Sequence, residues 1–206
     1  MEEKDIQAEL SSIRNLMERS SKFISLSGMS GIMAGIYALI GAYLAHKIVF
    51  FNNLSFDARK VYLLEYDVML QLVMIAIVVL VFSIITGIYL TIKQANKKGE
   101  RIWNPISKKL LVNMAIPLVA GGLFILILLV KGQFGILASA SLLFYGLALV
   151  SASHFTFTDI KWLGFCEIIL GLLALAFQGY GILFWAFGFG VLHIVYGSIM
   201  HFKYKQ

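Results

Sequence analysis

Two side chains near the end of the chain could do chemistry, Glu167 and His193. The stretch between Lys161 and Lys203 is almost wholly apolar, and Glu167 is its single charged residue. A charged group at the centre of a bilayer costs about 2.5–3.5 kcal/mol, so an acid placed there usually faces a partner or a cavity. His193 is the one histidine inside this stretch away from its ends, and its imidazole can accept or donate a proton near neutral pH.

The spacing of these two residues around a turn predicts that they meet. Gln178, Gly179, Tyr180 and Gly181 form a turn signal, with Glu167 12 residues before Gly179 and His193 14 residues after it. At 1.5 Å per helical residue the two depths differ by only about 3 Å. We therefore predict a buried intramembrane pair. A structural hydrogen bond between helices is favoured over a proton-responsive site, because two residues are too few for a proton relay.

Three further polar residues are secondary candidates: Asn113, His154 and His201. Asn113 lies near the inner end of an apolar run, where it can reach water. His154 and His201 fall near the inner face, and with Asp159 they could form a metal cluster, but solvated interfacial side chains are the favoured interpretation. We predict no metal and no cofactor.

The chain also lacks the motifs of an enzyme. A non-haem iron site needs two histidines and a carboxylate converging on one point, whereas the four histidines fall at different depths. Neither a nucleophile with a neighbouring base nor a phosphate-binding loop is recognisable. We therefore predict that the protein is not an enzyme.

Composition determines which solvent must surround these residues. Of the 206 residues, 60% are hydrophobic and only 14% are charged, with a mean hydropathy of +0.86. A soluble domain is about a quarter charged, so this chain has too little polar surface for a water-facing globule. The net charge of +6 is divided into short clusters between apolar runs, which is a membrane pattern and not a nucleic-acid-binding groove. The lone Cys166 excludes an intramolecular disulfide.

The apolar runs predict an all-α, polytopic membrane bundle of about six transmembrane helices over residues 23–206. Each run is long enough for the roughly 20 residues that cross the hydrocarbon. The last run is too long for one crossing and is divided at the turn around Gly179. The predicted spans begin with 23–45, 68–92, 110–130 and 132–158, followed by two from 160 onward.

Residues 1–22 precede the bundle and differ from it in composition. Apolar residues recur at helical spacing with charges on the other face, which predicts an amphipathic helix on the membrane surface or the bundle's cytoplasmic end. A helix that binds a protein partner is the alternative.

Orientation follows from lysine and arginine. With the N-terminus inside, 13 of the 17 basic residues fall in cytoplasmic segments, six of them in the 93–109 loop. Positively charged loops stay in the cytoplasm, so we predict an inner-membrane protein with both termini cytoplasmic.

Small residues form stripes along the predicted spans. Glycine lets helix backbones approach closely in lipid, where packing of small residues drives association. The stripes predict contacts between helices, and a homo-oligomer is a further prediction. Their glycines are Gly31, Gly35, Gly164, Gly171, Gly190 and Gly197.

Glycines of the predicted spans also recur at constant offsets along the chain. Gly28 and Gly35 match Gly164 and Gly171 at an offset of 136, and Gly87 matches Gly197 at an offset of 110. The spacing suggests one helical hairpin used three times. Glycine-punctuated hairpins in about 200 residues resemble the small six-span bacterial membrane proteins of the HdeD acid-resistance type. That resemblance implies an inner-membrane protein without known enzymatic activity.

The function predicted from all these features is that of a structural or regulatory membrane protein. Its partners are the lipid bilayer and, through residues 1–22, a protein; response to stress or pH is expected. The alternative is a small transporter or channel for protons or a small solute that uses Glu167 and His193. Pro117 is the one break within a span that favours this alternative.

Overall fold

The computed structural model describes residues 27–51, 66–99 and 102–204, and within them the chain is helical without any strand. The prediction of a helical bundle is therefore confirmed. The predicted amphipathic helix at 1–22 and most of the 46–67 connection lie outside the described residues.

Seven α-helices, a 3-10 turn and a π-helix make up the described fold. The α-helices are α1 (Gly28–Phe51), α2 (Tyr66–Lys98), α3 (Pro105–Val130), α4 (Leu137–Ala152), α5 (Asp159–Ala176), α6 (Gly181–Trp185) and α7 (His193–Lys203). The 3-10 turn is Phe134–Ile136, and the π-helix Ala186–Leu192 joins α6 to α7. We call Gly181–Lys203 the C-terminal segment.

The start of α3 illustrates how local sequence determines an element boundary. Asn104 is the N-cap, and its side-chain oxygen accepts hydrogen bonds from the backbone N–H groups of Ile106 at 2.9 Å and Ser107 at 2.8 Å. The Ser107 hydroxyl in turn accepts from the Asn104 N–H at 3.0 Å. Pro105 follows at the first helical position, where its missing N–H costs nothing.

Five of the described helices are long and apolar enough to cross a membrane. They are Gly28–Val49, Asp67–Lys98, Pro105–Val130, Phe134–Ala152 and Gly181–Lys203. The fifth predicted span, which begins at residue 160, corresponds to α5; this helix is not among the five, because it has 18 residues but carries the charged residues Asp159, Lys161 and Glu167.

The helices form two packed groups joined by the C-terminal segment. In one group α1 packs on α2 and on the C-terminal segment, and in the other α4 packs on both α3 and α5. The C-terminal segment also contacts α4 and α5. The long helices α2 and α3 therefore lie at the margins and expose most of their large apolar side chains. Such surfaces suit hydrocarbon and not water.

Glycine permits the closest helix contacts in each group. A Cβ on Gly35 of α1 would lie 2.6 Å from the carbonyl oxygen of Gly190, and one on Gly146 of α4 would lie 2.7 Å from that of Gly164. No side chain fits at such distances. Backbone-to-backbone packing of this kind holds membrane helices together without a hydrophobic driving force between them.

The turn predicted at Gly179 closes the hairpin between α5 and the C-terminal segment. α5 ends at Ala176 and α6 begins at Gly181. Gly179 has φ +99°, a left-handed conformation that favours glycine. The two arms of the hairpin run in opposite directions, so Glu167 on one arm lies opposite His193 on the other.

A hydrogen bond across α1 and α2 provides a test of this packing. The Tyr37 and Thr86 hydroxyls lie 3.2 Å apart. We expect Tyr37→Phe to lower the free energy of unfolding by about 0.6 kcal/mol, the average for interhelical hydrogen bonds in membranes. Detergent-based unfolding would measure it, with Tyr89→Phe as the control, since Tyr89 on α2 is 62% exposed. Equal effects of the two changes would contradict the expectation.

Candidate functional site

Among the described residues, the most deeply buried acidic or basic side chain is that of Glu167, near the middle of α5. Its relative exposure is 0%, and that of His193, the first residue of α7, is 6%. The structure brings the two together, with His193 Nδ1 3.4 Å from Glu167 Oε1. The close approach arises because the hairpin turn places both residues at one depth, Glu167 midway along α5 and His193 about midway along the C-terminal segment.

The imidazole of His193 is held from both sides. Nδ1 lies 3.0 Å from the carbonyl oxygen of Gly188, and Nε2 lies 2.8 Å from the hydroxyl of Tyr145 on α4. A carbonyl only accepts, so Nδ1 carries a hydrogen and donates it. In the neutral ring Nε2 is then an acceptor, and the Tyr145 hydroxyl donates to it. The contacts thus define the tautomer of His193.

The carboxyl group of Glu167 is left without a donor of its own. Within the part of the chain that the structure describes, neither Oε1 nor Oε2 has a hydrogen-bond partner. The nearest donor, His193 Nδ1, is closer to the Gly188 carbonyl, so its single hydrogen is directed mainly there. Buried polar groups are nearly always paired, and an orphaned carboxyl in the interior therefore requires an explanation.

The π-helix forms the wall of the site opposite α5. Gly188 is buried within it, and a Cβ at that position would lie 2.5 Å from Glu167 Oε2. Glycine at this position leaves room for the carboxyl where it lies. The wider turn of a π-helix disturbs the regular backbone ladder, and such segments are frequent at functional sites. Glu167, His193, Tyr145 and Gly188 together form what we call the buried cluster.

Aromatic rings extend the buried cluster along the C-terminal segment. Phe189 stacks on His193 with ring centroids 5.9 Å apart and also contacts Tyr145 at 5.0 Å. Trp185 lies one helical turn further, 5.2 Å from Phe189. The indole is therefore placed to sense a change in the position of the π-helix.

A polar clasp joins the two arms of the hairpin at the end opposite Gly179. Lys203 Nζ contacts the Asp159 carboxylate at 2.9 Å, and the Tyr204 hydroxyl donates to it at 2.7 Å. Asp159 lies at the first residue of α5, outside the five candidate spans. Partial burial opposes its ionisation, but the hydrogen bonds from Tyr204 and Lys203 outweigh burial and lower the pKa of Asp159. The clasp therefore persists at neutral pH and weakens only as the pH falls through that lowered pKa.

The other predicted candidates lie apart from the buried cluster. The Asn113 side-chain amide donates to the Lys109 carbonyl in its own helix at 2.8 Å, and His154 is exposed beyond the end of α4. His201 lies on α7, where its backbone meets Gly28. The described residues include no group of three or more potential metal ligands.

The predicted packing glycines all lie at close helix contacts. Gly31, Gly35, Gly190 and Gly197 lie between α1 and the C-terminal segment. Gly164 and Gly171 lie between α5 and α4.

Sequence reasoning missed two members of the buried cluster, Tyr145 and Gly188. Tyr145 is an ordinary aromatic residue in an apolar helix, and nothing in its spacing points to His193. The Gly-Phe-Gly run at 188–190 could have given a signal, since two glycines one turn before a buried histidine weaken the helix there.

Comparisons with known proteins identify no relative. The chain matches no family model, and neither the curated proteins nor the solved structures contain a match.

Proposed function

We propose that this chain is a membrane protein of structural or regulatory type, without enzymatic activity, whose interior responds to protons at Glu167. One observation carries the proposal: a fully buried carboxyl that lacks a hydrogen-bond donor of its own among the described residues and lies 3.4 Å from an imidazole. A purely structural ion pair needs additional hydrogen bonds to offset desolvation. Glu167 has unused acceptor capacity, and a proton can use it.

The contacts suggest how proton binding would change the structure. The Nδ1 hydrogen of His193 has two competing acceptors, the Gly188 carbonyl at 3.0 Å and the Glu167 carboxyl at 3.4 Å. An ionised Glu167 attracts this hydrogen, whereas a protonated Glu167 leaves it with Gly188. The charge on Glu167 would therefore shift the imidazole toward or away from the π-helix, which is the element that responds.

A topology of six spans is part of this proposal. α5 is roughly 27 Å long at 1.5 Å per residue, close to the hydrocarbon thickness. Its first residue, Asp159, contacts Lys203 at the end of the C-terminal segment, which is itself a candidate span. Because the two arms of the hairpin contact each other at both ends, they extend over the same depth of the membrane. This favours α5 as a further span and brings the number of spans to six. Of its three charged residues, Asp159 and Lys161 then lie at the membrane interface and Glu167 is buried.

We further propose an inner-membrane location with both termini in the cytoplasm. The basic residues at the end of α2 and the start of α3, which the structure shows to be helical rather than part of a long loop, support this orientation. The resemblance to the HdeD acid-resistance type fits a role in response to pH. Residues 1–22 are the proposed contact for a protein partner, and the surrounding bilayer is the other partner.

Fluorescence of Trp185 would test the proton-responsive site. In a protein that keeps Trp185 but carries Trp103→Phe and Trp162→Phe, we expect emission in lipid vesicles to change with pH, since Trp185 packs on Phe189 beside His193. Glu167→Gln should abolish the change, because glutamine fits the same space but does not titrate.

Asp67→Asn is the matched control, since Asp67 is an exposed acid at the start of α2 and should leave the pH profile intact. An unchanged profile in Glu167→Gln would assign the response to another group and refute the proposal. The proposal would also be refuted if the emission of the single-tryptophan protein with Glu167 intact did not change with pH.

Transport of protons or a small solute is the second candidate, and the π-helix favours it. Transporters bind their ions where helices are interrupted near the midplane. The π-helix interrupts a candidate span beside a buried acid. Proton flux into vesicles, measured with an enclosed pH-sensitive dye and lost in Glu167→Gln, would support transport over a regulatory role.

A further inference from the structure

Two helix crossings in the bundle use equivalent glycines at their first contact. In one, a Cβ on Gly28 of α1 would lie 2.6 Å from the Gly197 carbonyl oxygen; in the other, a Cβ on Gly164 of α5 would lie 2.8 Å from that of Gly146. The offset is 136 residues between Gly28 and Gly164 and 51 residues between Gly146 and Gly197. The same glycine contact between two helices therefore occurs twice in the fold.

The second contact of each crossing, seven residues away, keeps the same offsets. A Cβ on Gly35 would lie 2.6 Å from the Gly190 carbonyl oxygen, and one on Gly171 would lie 3.1 Å from that of Ser139. Gly35 and Gly171 are again 136 residues apart, and Ser139 and Gly190 are again 51 apart. α1 is therefore equivalent to α5, and the C-terminal segment to α4, in three-dimensional contacts as well as in spacing.

The remaining helices carry the same pattern. In α3, Ala115 and Gly122 are seven residues apart, like Gly28 and Gly35, at a constant offset of 87. In α2, Gly87 corresponds to Gly197 at an offset of 110. The sequence thus contains both members of a third crossing. At its far end Leu80 of α2 takes the place of Gly190, so the closest approach is expected between Gly87 and Ala115.

Among the described residues, both faces of this third crossing are open. A Cβ added to Gly87 or Gly122 would meet none of their atoms within 4 Å, and Ala115 is exposed. The helices α2 and α3 do not pack along each other in the described structure. Each is fixed elsewhere, since Gly41 of α1 meets Val79 of α2 and Gly121 of α3 meets Phe144 of α4.

We infer that a second copy of this chain occupies these faces, with α2 of one protomer crossing α3 of its partner. The two filled crossings show what fits the open faces: a helix with small residues at a seven-residue spacing. A second copy supplies that helix without moving α2 from α1 or α3 from α4. A two-fold dimer also fills both open faces at once, since each protomer contributes one α2 and one α3.

Cysteine cross-linking in membranes tests the inferred interface. The contact between Gly164 and Val150 corresponds to a contact between Ala115 and Thr91. In a Cys166→Ala background, we expect Thr91→Cys with Ala115→Cys to give a disulfide-linked dimer under mild oxidation. The control pair is Tyr89→Cys with Ile116→Cys, which has similar depth but points away from the crossing and is over 60% exposed. It should give no more than background dimer.

A second pair of variants separates the interface from folding. A Cβ at Gly87 or Gly122 meets nothing within 4 Å among the described residues of one protomer, so we expect Gly87→Leu and Gly122→Leu to fold normally. Both should reduce the cross-linked dimer about tenfold, as a loss of 1.4 kcal/mol would. A disulfide formed within one chain, equal yield from the control pair, or full dimer in both leucine variants would each overturn the inference.

Discussion

We expect His193→Ala to lower the free energy of unfolding by about 3 kcal/mol, because it leaves the Gly188 carbonyl without its buried donor and removes the donor nearest to the Glu167 carboxyl. Glu167 is fully buried and has no other donor as near among the described residues. The loss of the Tyr145 hydrogen bond at 2.8 Å adds to the effect. We expect Glu167→Gln to cost less, since glutamine keeps the shape of the side chain and carries no charge into the interior.

The double variant measures the interaction itself. If Glu167 and His193 interact, the loss in Glu167→Gln with His193→Ala is smaller than the sum of the single losses, by on the order of 1 kcal/mol. Unfolding in mixed detergent micelles at fixed pH gives all three values. Tyr145→Phe serves as a comparison that removes one hydrogen bond but keeps the ring. Additive losses would mean that the two residues are merely close.

The second large effect is expected at the crossing between α1 and the C-terminal segment. A Cβ on Gly197 would lie 2.6 Å from the backbone nitrogen of Ile32 and 2.7 Å from the carbonyl oxygen of Gly28. Backbone atoms on both sides cannot rotate away as a side chain can. We therefore expect Gly197→Ala to lower the free energy of unfolding by about 2 kcal/mol, a typical cost of overpacking.

Gly122→Ala is the matched control for this substitution. Gly122 also lies inside a candidate span, but a Cβ there meets nothing within 4 Å among the described residues. With the protein monomeric in detergent, we expect this change to be neutral or slightly stabilising, since alanine favours helix over glycine. The difference between the two variants isolates the crossing. A Gly197→Ala protein as stable as Gly122→Ala would show that the helices can separate at little cost.

The two expectations concern one structural unit. His193 lies between Gly190 and Gly197, on the segment that crosses α1, and it also reaches Glu167 on α5 and Tyr145 on α4. A shift of the π-helix caused by the charge on Glu167 would therefore reach the glycine contacts with α1. The buried cluster lies where the two packed groups of helices join, and this position favours a regulatory role over an isolated structural bond.

The sequence by itself determined the features that depend on one helix and its nearest turn. Hydrocarbon excludes unpaired backbone groups, so long apolar runs must be helical, and the structure confirms helices there. The turn at Gly179 also places Glu167 and His193 at one depth by counting residues, because helical rise is constant. The 18-residue α5 is the exception, since its three charges leave its crossing of the membrane a proposal.

Lateral neighbours were decided only by the tertiary structure. Tyr145 lies 48 positions from His193 in the chain, so spacing along one helix does not relate them. The π-helix that leaves room for Glu167 beside Gly188 has no periodic sequence pattern that would predict it. Equivalent patterns of small residues occur on α1, α3 and α5, yet the described fold fills those of α1 and α5 and leaves Ala115 and Gly122 of α3 open. Spacing along one helix defines a face, but which backbone covers that face depends on how all the helices pack together.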